Sequence, residues 1–273
     1  MLAAGSEHLI GLVGPDIGTI RLNRKISATA GRLVGLGMRI VPGRYRLGAA
    51  VHLAGVLAPA LRRTWAFGKL RFPLNSERDL CVHLLIRCMI ASGTPFDLRL
   101  RVEGADLLDA ALASGRGTVI VAPHALLSLL ILRYLHDRGH SPVAVANAGR
   151  MEVAGTGAFA DTVPPSPNIM RVVARRLREG AIVCAMIDRV AATVRKTTRF
   201  ETAVGALRIS DAIFRVAVRT DAMVIFTAAR VDRGRLCLVL AAPQPGSEGS
   251  ADAIAGEFIG FLQAHAVAVA GAS

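Results

Sequence analysis

The chain has 273 residues, 52% of them hydrophobic, enough to bury a sizeable core, which excludes disorder as its main state. Lys and Arg total 33 against 20 Asp and Glu, a formal net charge of +13, yet aromatics make up only 4%. With few stacking side chains and no recognisable nucleic-acid motif, the charge does not describe a reader of single strands; basic and apolar together suit an anionic membrane or an acidic carrier protein.

The opening stretch, MLAAGSEHLIGLVGPD, carries Glu7 and no basic residue ahead of its apolar part, so no cleaved leader is expected. Arg21, Arg24, Lys25, Arg32, Arg39, Arg44 and Arg46 then alternate with Ile, Leu, Val and Met. Such a pattern can lay a helix in a lipid headgroup layer, the alternative being an ordinary amphipathic helix with a solvated basic face. The longest run without a formal charge, LGAAVHLAGVLAPAL at 47–61, is flanked by Arg62 and Arg63. It falls short of the roughly 20 residues a spanning helix needs. Cys81, Cys88, Cys184 and Cys237 lack C-x-x-C spacing and sit in apolar segments, as reduced core thiols do. In CVHLLIRC, about 100° per helical residue puts Cys81 and Cys88 on one face and His83 on another, so no metal site is expected there.

From residue 97 the pattern alternates strand with helix. FDLRLRVEG reads as a strand, ADLLDAALASGRG as a helix closed by glycine, TVIVAP as a buried strand and HALLSLLILRYLHDRG as a helix ending at Gly139. SPVAVANAG is a strand, TVPPSPN at 162–168 a loop, PNIMRVVARRLREG an amphipathic helix and AIVCAMID a short buried strand. GALRISDAIFRVAVRTD reads as helix, AMVIFTAARVDRG and RLCLVLAAP as strands around a turn, and SADAIAGEFIGFLQAHAVAVA as a last helix. The expected fold class is α/β, a mostly parallel sheet with helices on both faces, over 97–273. Residues 1–96 form a basic, apolar, helical, membrane-facing segment packed on that core. Ligands in such folds collect at the carboxyl ends of strands, where His124 falls.

The ordered blocks VEGADLLDAALASGRGTVIVAPH, RRLREGAIVCAMIDR, RFETAVG and AMVIFTAARVDRGRLCLVLAAP resemble the lysophospholipid acyltransferase superfamily. Within it, they are most similar to the bacterial lipid A acyltransferase and phosphatidylinositol mannoside acyltransferase branch. The resemblance covers about 97–265 and implies that His124 is the histidine of an H-x-x-x-x-D/E motif, a general base that deprotonates an acceptor attacking a fatty acyl thioester. A base poised near neutral pH needs an anionic partner once it becomes cationic. The motif's acid position here is Leu129, and its F-x-G turn is Phe200-Glu201-Thr202 without the glycine.

Three residues are candidates to serve the imidazole instead. Ser128 is one helical turn on if the helix starts at His124; Asp188 and Glu201 are better chemically and fall at strand ends or loops. Asp188-Arg189 matches the family's aspartate followed by glutamine or arginine, Arg150 is the nearest candidate for its phosphate-binding arginine, and Leu127, Leu129 and Phe200 are expected to line the acyl chain's path. The implied activity is acyl transfer from an acyl-carrier protein or coenzyme A thioester to a hydroxyl or amine of a lipid-like or small-molecule acceptor. It would proceed without metal or redox cofactor and without nucleic acid, on the cytoplasmic face of the cell membrane. The alternative is a family member that has lost catalysis and binds acyl chains or membrane for another enzyme, which Leu129 favours.

Overall fold

The computed structural model describes residues 34, 36–62, 81–82, 84–86, 88–89, 92, 94, 100–123, 126–146, 150–152, 159–164, 166–187, 197–202, 205–232 and 235–265. The leader reading, the arginines and lysine before residue 34, His83 and Arg63 lie outside these residues.

Ten strands are described: β1 Leu100–Glu103, β2 Thr118–Ala122, β3 Val143–Val145, β4 Arg150–Glu152, β5 Phe159–Val163, β6 Ile182–Met186, β7 Thr198–Thr202, β8 Gly205–Ile209, β9 Met223–Asp232 and β10 Arg235–Ala241. The helices are α1 Gly43–Arg62, α2 Ala105–Ala113, α3 Leu130–Asp137, α4 Ile169–Arg178, α5 Ala212–Thr220 and α6 Ala251–His265. A 3₁₀ turn, Leu126–Leu129, precedes α3, and the described residues between 81 and 89 are helical.

Eight strands form one sheet in the order β1-β10-β9-β2-β6-β3-β5-β4. The five from β9 to β5 run parallel, while β4 and β10 are antiparallel to their neighbours β5 and β9, and β1 runs with β10. The sheet is therefore mostly parallel but mixed. The described edges are strands of only three and four residues, the short edges that resist further pairing.

Every residue of β2 is buried, and strand alternation divides its side chains between two apolar clusters. Ile120, with Ile182, Cys184 and Ile225, joins a first cluster made with α1, α2, the 3₁₀ turn and α3. Val119 and Val121, with Val183, Ala185, Val224 and Phe226, join a second made with α4, α5 and α6. In α1 the buried Leu47, Ala50, Val51 and Ala54 recur at helical spacing, which puts this helix on the first face. On the second face Phe226 and Phe258 approach to 5.3 Å between ring centroids, with Phe214 6.0 Å from Phe258 and Phe261 5.8 Å from Phe226. Gly139 and Gly180, both at φ +79°, turn the chain just past α3 and α4 in a backbone conformation that side-chain-bearing residues rarely adopt.

Several sequence expectations are corrected. GALRI is a strand, not the first part of a helix: β8 pairs antiparallel with β7, Thr202 opposite Gly205, and α5 begins only after Ser210-Asp211. A serine-aspartate pair is a helix-start signal, and the Ala212 N–H donates to Ser210 Oγ at 3.3 Å. The strands β4 and β5 are also additions, β5 taking Thr162 and Val163 from the expected loop. The arginines read as headgroup ligands are partly structural. Arg46 Nε donates to the carbonyls of Met38 at 3.0 Å and Val41 at 2.8 Å, and Arg39 Nη2 donates to that of Ser92 at 2.6 Å. The Arg46 bonds satisfy carbonyls at the turn before α1, and the Arg39 bond ties that turn to Ser92.

None of the four cysteines is in a disulfide, and burial pushes the Cys184 thiol up to about 12. Cys184 is expected to resist alkylation at pH 8 in the folded protein and to react once denatured, as mass spectrometry of quenched samples would read. At the start of β2, a Cβ on Gly117 would lie 2.2 Å from the Leu177 carbonyl oxygen of α4. Gly117→Ala must therefore push α4 off the sheet and should cost about 1–3 kcal/mol, measured by denaturant unfolding.

Candidate active site

The crevice follows from the connections. Strand β2 leads into the 3₁₀ turn and α3 on the first face and on to β3, whereas β6 leads through the β7–β8 hairpin to α5 on the second face and on to β9. Adjacent parallel strands thus send their chains to opposite faces and opposite sides of the sheet. At such a switch point the carboxyl ends of the strands are left uncovered between the departing segments, and ligands bind there.

The two strands are in register to their ends, Ala122 opposite Met186. The Ile187 N–H donates to the Ala122 carbonyl at 3.4 Å, and the Ser210 N–H donates to the Ile187 carbonyl at 3.4 Å. Pro123 is buried and has no N–H to extend the ladder, so β2 stops here. Position 124 comes two residues after Ala122, and position 188 two residues after Met186. His124, Asp188 and Arg189 themselves lie outside the described residues, but the strands that lead into them end side by side.

The other candidates separate. Glu201 is in β7 opposite Ala206, one pair from the hairpin turn. Ala206 lies four residues before Ser210, about 13 Å of extended chain from the sheet contact. Phe200 is its neighbour, opposite Leu207. Arg150 opens β4, which β3 and β5 separate from β6 by about 14 Å at ordinary strand spacing. The register thus ends β2 and β6, the strands leading into positions 124 and 188, side by side, and sets Glu201 and Arg150 further off along the backbone.

Ser128 belongs to the 3₁₀ turn, whose i to i+3 geometry differs from the α-helical turn expected from the sequence. It is 1% exposed, and its hydroxyl has no hydrogen-bond partner among the described residues. Leu127 is buried in the first cluster, and Leu129 packs against that cluster, half-buried. The residue at the motif's acid position thus contributes to apolar packing.

Two further residues were passed over in the sequence. Thr227 follows Phe226, the partner of Val121, and so stands level with the end of β2. Alternation with Ile225 and Ala229 puts it on the first face, against which the 3₁₀ turn packs. Its hydroxyl, like that of Ser128, is buried without a partner among the described residues. The only sequence signal was a hydroxyl inside an apolar strand. The second is Asp211, 2% exposed beside Ser210, whose carboxylate accepts an ion pair from Arg215 at 2.9 Å. Its place at the start of α5 favours negative charge, which makes it a structural carboxylate at the rim of the crevice.

Buried hydroxyls without partners are uncommon, and at a strand-end crevice they offer donors to a ligand oxygen. The strands ending here lead into positions 124 and 188, which carry an imidazole and a carboxylate, the residue types that base-assisted attack on a carbonyl uses. No family model matches the chain, and no curated protein matches it. The geometry of the crevice and the chemistry of its residues carry the functional reading.

Leu129→Asp sets a charge against the first cluster and is expected to cost about 2–3 kcal/mol, measured by the shift of the denaturant midpoint. An unchanged midpoint would mean that side chain 129 opens into the crevice.

Proposed function

We propose that the protein is an acyltransferase that moves a fatty acyl group from a carrier-protein or coenzyme A thioester to a hydroxyl or amine of a lipid-like acceptor. The reading is carried by the switch point: the segments bearing His124 and Asp188 leave the sheet from an in-register pair at its centre. The resemblance of the sequence blocks to the lysophospholipid acyltransferases supports the same chemistry.

His124 takes the proton from the acceptor as its oxygen or nitrogen attacks the thioester carbon. The carbonyl electrons move onto oxygen, where the Ser128 and Thr227 hydroxyls act as donors. Collapse re-forms the carbonyl, breaks the carbon–sulfur bond, and the thiolate leaves with the proton that the imidazolium returns. Asp188 takes the part that Leu129 cannot, orienting the imidazole and offsetting its charge. The first cluster beside the 3₁₀ turn supplies an apolar setting for the acyl chain.

Among the described residues, no helix is long and apolar enough to cross a membrane. Contact with lipid falls to the N-terminal face, where Leu36, Ile40, Tyr45, Val56 and Leu57 are exposed, Ile40 to 88%, and Arg44 lies 4.8 Å from the Tyr45 ring centroid. Apolar side chains with a basic one at the rim fit an anionic headgroup layer. The second reading, a non-catalytic acyl- or membrane-binding partner, is favoured by Leu129 packing on the core.

The test is acyl transfer from purified thioesters to candidate acceptors, read by intact mass. His124→Ala and Asp188→Asn should each lower turnover by about 10²- to 10⁴-fold, with the thermal midpoint showing the variants folded. Turnover indifferent to His124→Ala would leave the non-catalytic reading.

A further inference from the structure

The arginines of the second face have no use in this chemistry. Helix α4 is amphipathic, with Val173, Ala174 and Leu177 inward and Arg171, Arg175, Arg176 and Arg178 exposed. Helix α5 packs beside it and exposes Arg215 and Arg219. Carboxylates answer only part of this charge: Glu179 serves Arg175 and Arg176, and Asp211 serves Arg215. Among the described residues, no carboxylate pairs with Arg171, Arg178 or Arg219. On the first face, by contrast, Arg133 pairs with Asp137 and Arg138 with Asp109.

We propose that the α4–α5 face is the docking surface for an acidic protein, and that this protein is the carrier of the acyl thioester. The choice of carrier rests on the acyltransfer reading; the choice of an acidic protein rests on the face itself. Among the described residues, none of the exposed large hydrophobics lies on α4 or α5; all fall between residues 34 and 107. A lipid surface gains from apolar side chains that enter it, so the first face suits lipid and the arginine face does not. Arg171 to Arg178 spans about 10 Å of helix, and α5 adds a second row about 8–10 Å away. Arginines spread along two neighbouring helices suit an extended carboxylate surface better than the few phosphates of a small thioester, which need converging donors.

The face is also placed for delivery. Helix α4 leaves the carboxyl-end side of β5, and α5 starts beside Ser210, bonded to Ile187 at the crevice. Both helices therefore begin at the edge of the sheet where β2 and β6 end; Arg171 lies in the first turn of α4 at that edge, whereas Arg178 and Arg219 lie in the last turns, so a carrier seated on all three extends from the crevice edge along the helices while lipid meets the opposite face.

The test is the triple variant Arg171→Glu, Arg178→Glu, Arg219→Glu, with its Gln counterpart as the milder change should charge reversal disturb folding. The probe is an acidic acyl-carrier protein bearing a fluorescent label, titrated by anisotropy. Wild type should bind it, more weakly as salt rises, and the triple variant at least tenfold more weakly, with cosedimentation on phosphatidylglycerol vesicles unchanged. Wild type that does not bind the carrier, or a folded triple variant that binds it equally well, overturns the proposal. A triple variant that loses vesicles or duplex DNA but not the carrier overturns it too and assigns the face to that ligand. Carrier binding without transfer would sink the acyltransfer reading alone, whereas transfer from acyl coenzyme A without carrier binding would sink the docking face alone.

Discussion

The structure depends on the burial of β2 on both faces. A central strand with no solvent side must feed two cores, and TVIVA does so by sending Ile120 to one cluster and Val119 and Val121 to the other. Parallel neighbours on each side, β9 and β6, cannot be reached by tight turns, so the chain must cross over the sheet through helices. Those crossovers cover the two faces. They also create the crevice, since the segments after β2 and β6 have to depart in opposite directions. Core and candidate site are thus consequences of one constraint.

Close approach matters at the start of the strand as packing does along it. Gly117 lets the backbone of Leu177 pass where any side chain would stand, and its carbonyl accepts the Met223 N–H at 2.8 Å. Helix α4 and strand β9 are both seated at this point. At the other end the design is polar: Pro123 closes the ladder, and Ser128 and Thr227 bring hydroxyls into an otherwise apolar layer. An unpartnered buried hydroxyl destabilises the fold by about 1–3 kcal/mol, a cost that ligand binding at that point would offset.

The two faces differ in surface as well as in core. The helices over the first cluster expose apolar side chains and pair the α3 arginines with carboxylates, while α4 and α5 expose arginines and no large apolar group. A basic chain is therefore not uniformly basic in its chemistry. Arg39 and Arg46 donate to backbone carbonyls near α1, whereas no carboxylate among the described residues pairs with Arg171, Arg178 or Arg219.

Much of this was legible in the residues alone. Continuous apolar runs such as TVIVA and AIVCAM announce strands buried on both faces, and IMRVVARRLR announces a helix with one dry side, because burial imposes those periods wherever the element sits. The sequence by itself therefore determined the α/β class, the reduced core thiols as an expectation, and His124 as the residue following a buried strand. It did not determine that GALRI pairs with β7, that β4 and β5 extend the sheet, or that Leu129 packs on the first cluster, since each depends on a partner distant along the chain. The juxtaposition of the ends of β2 and β6 was likewise decided only in three dimensions. Ala122 and Met186, 64 positions apart, come side by side through strand order and register, and neither is written in local hydrophobic pattern.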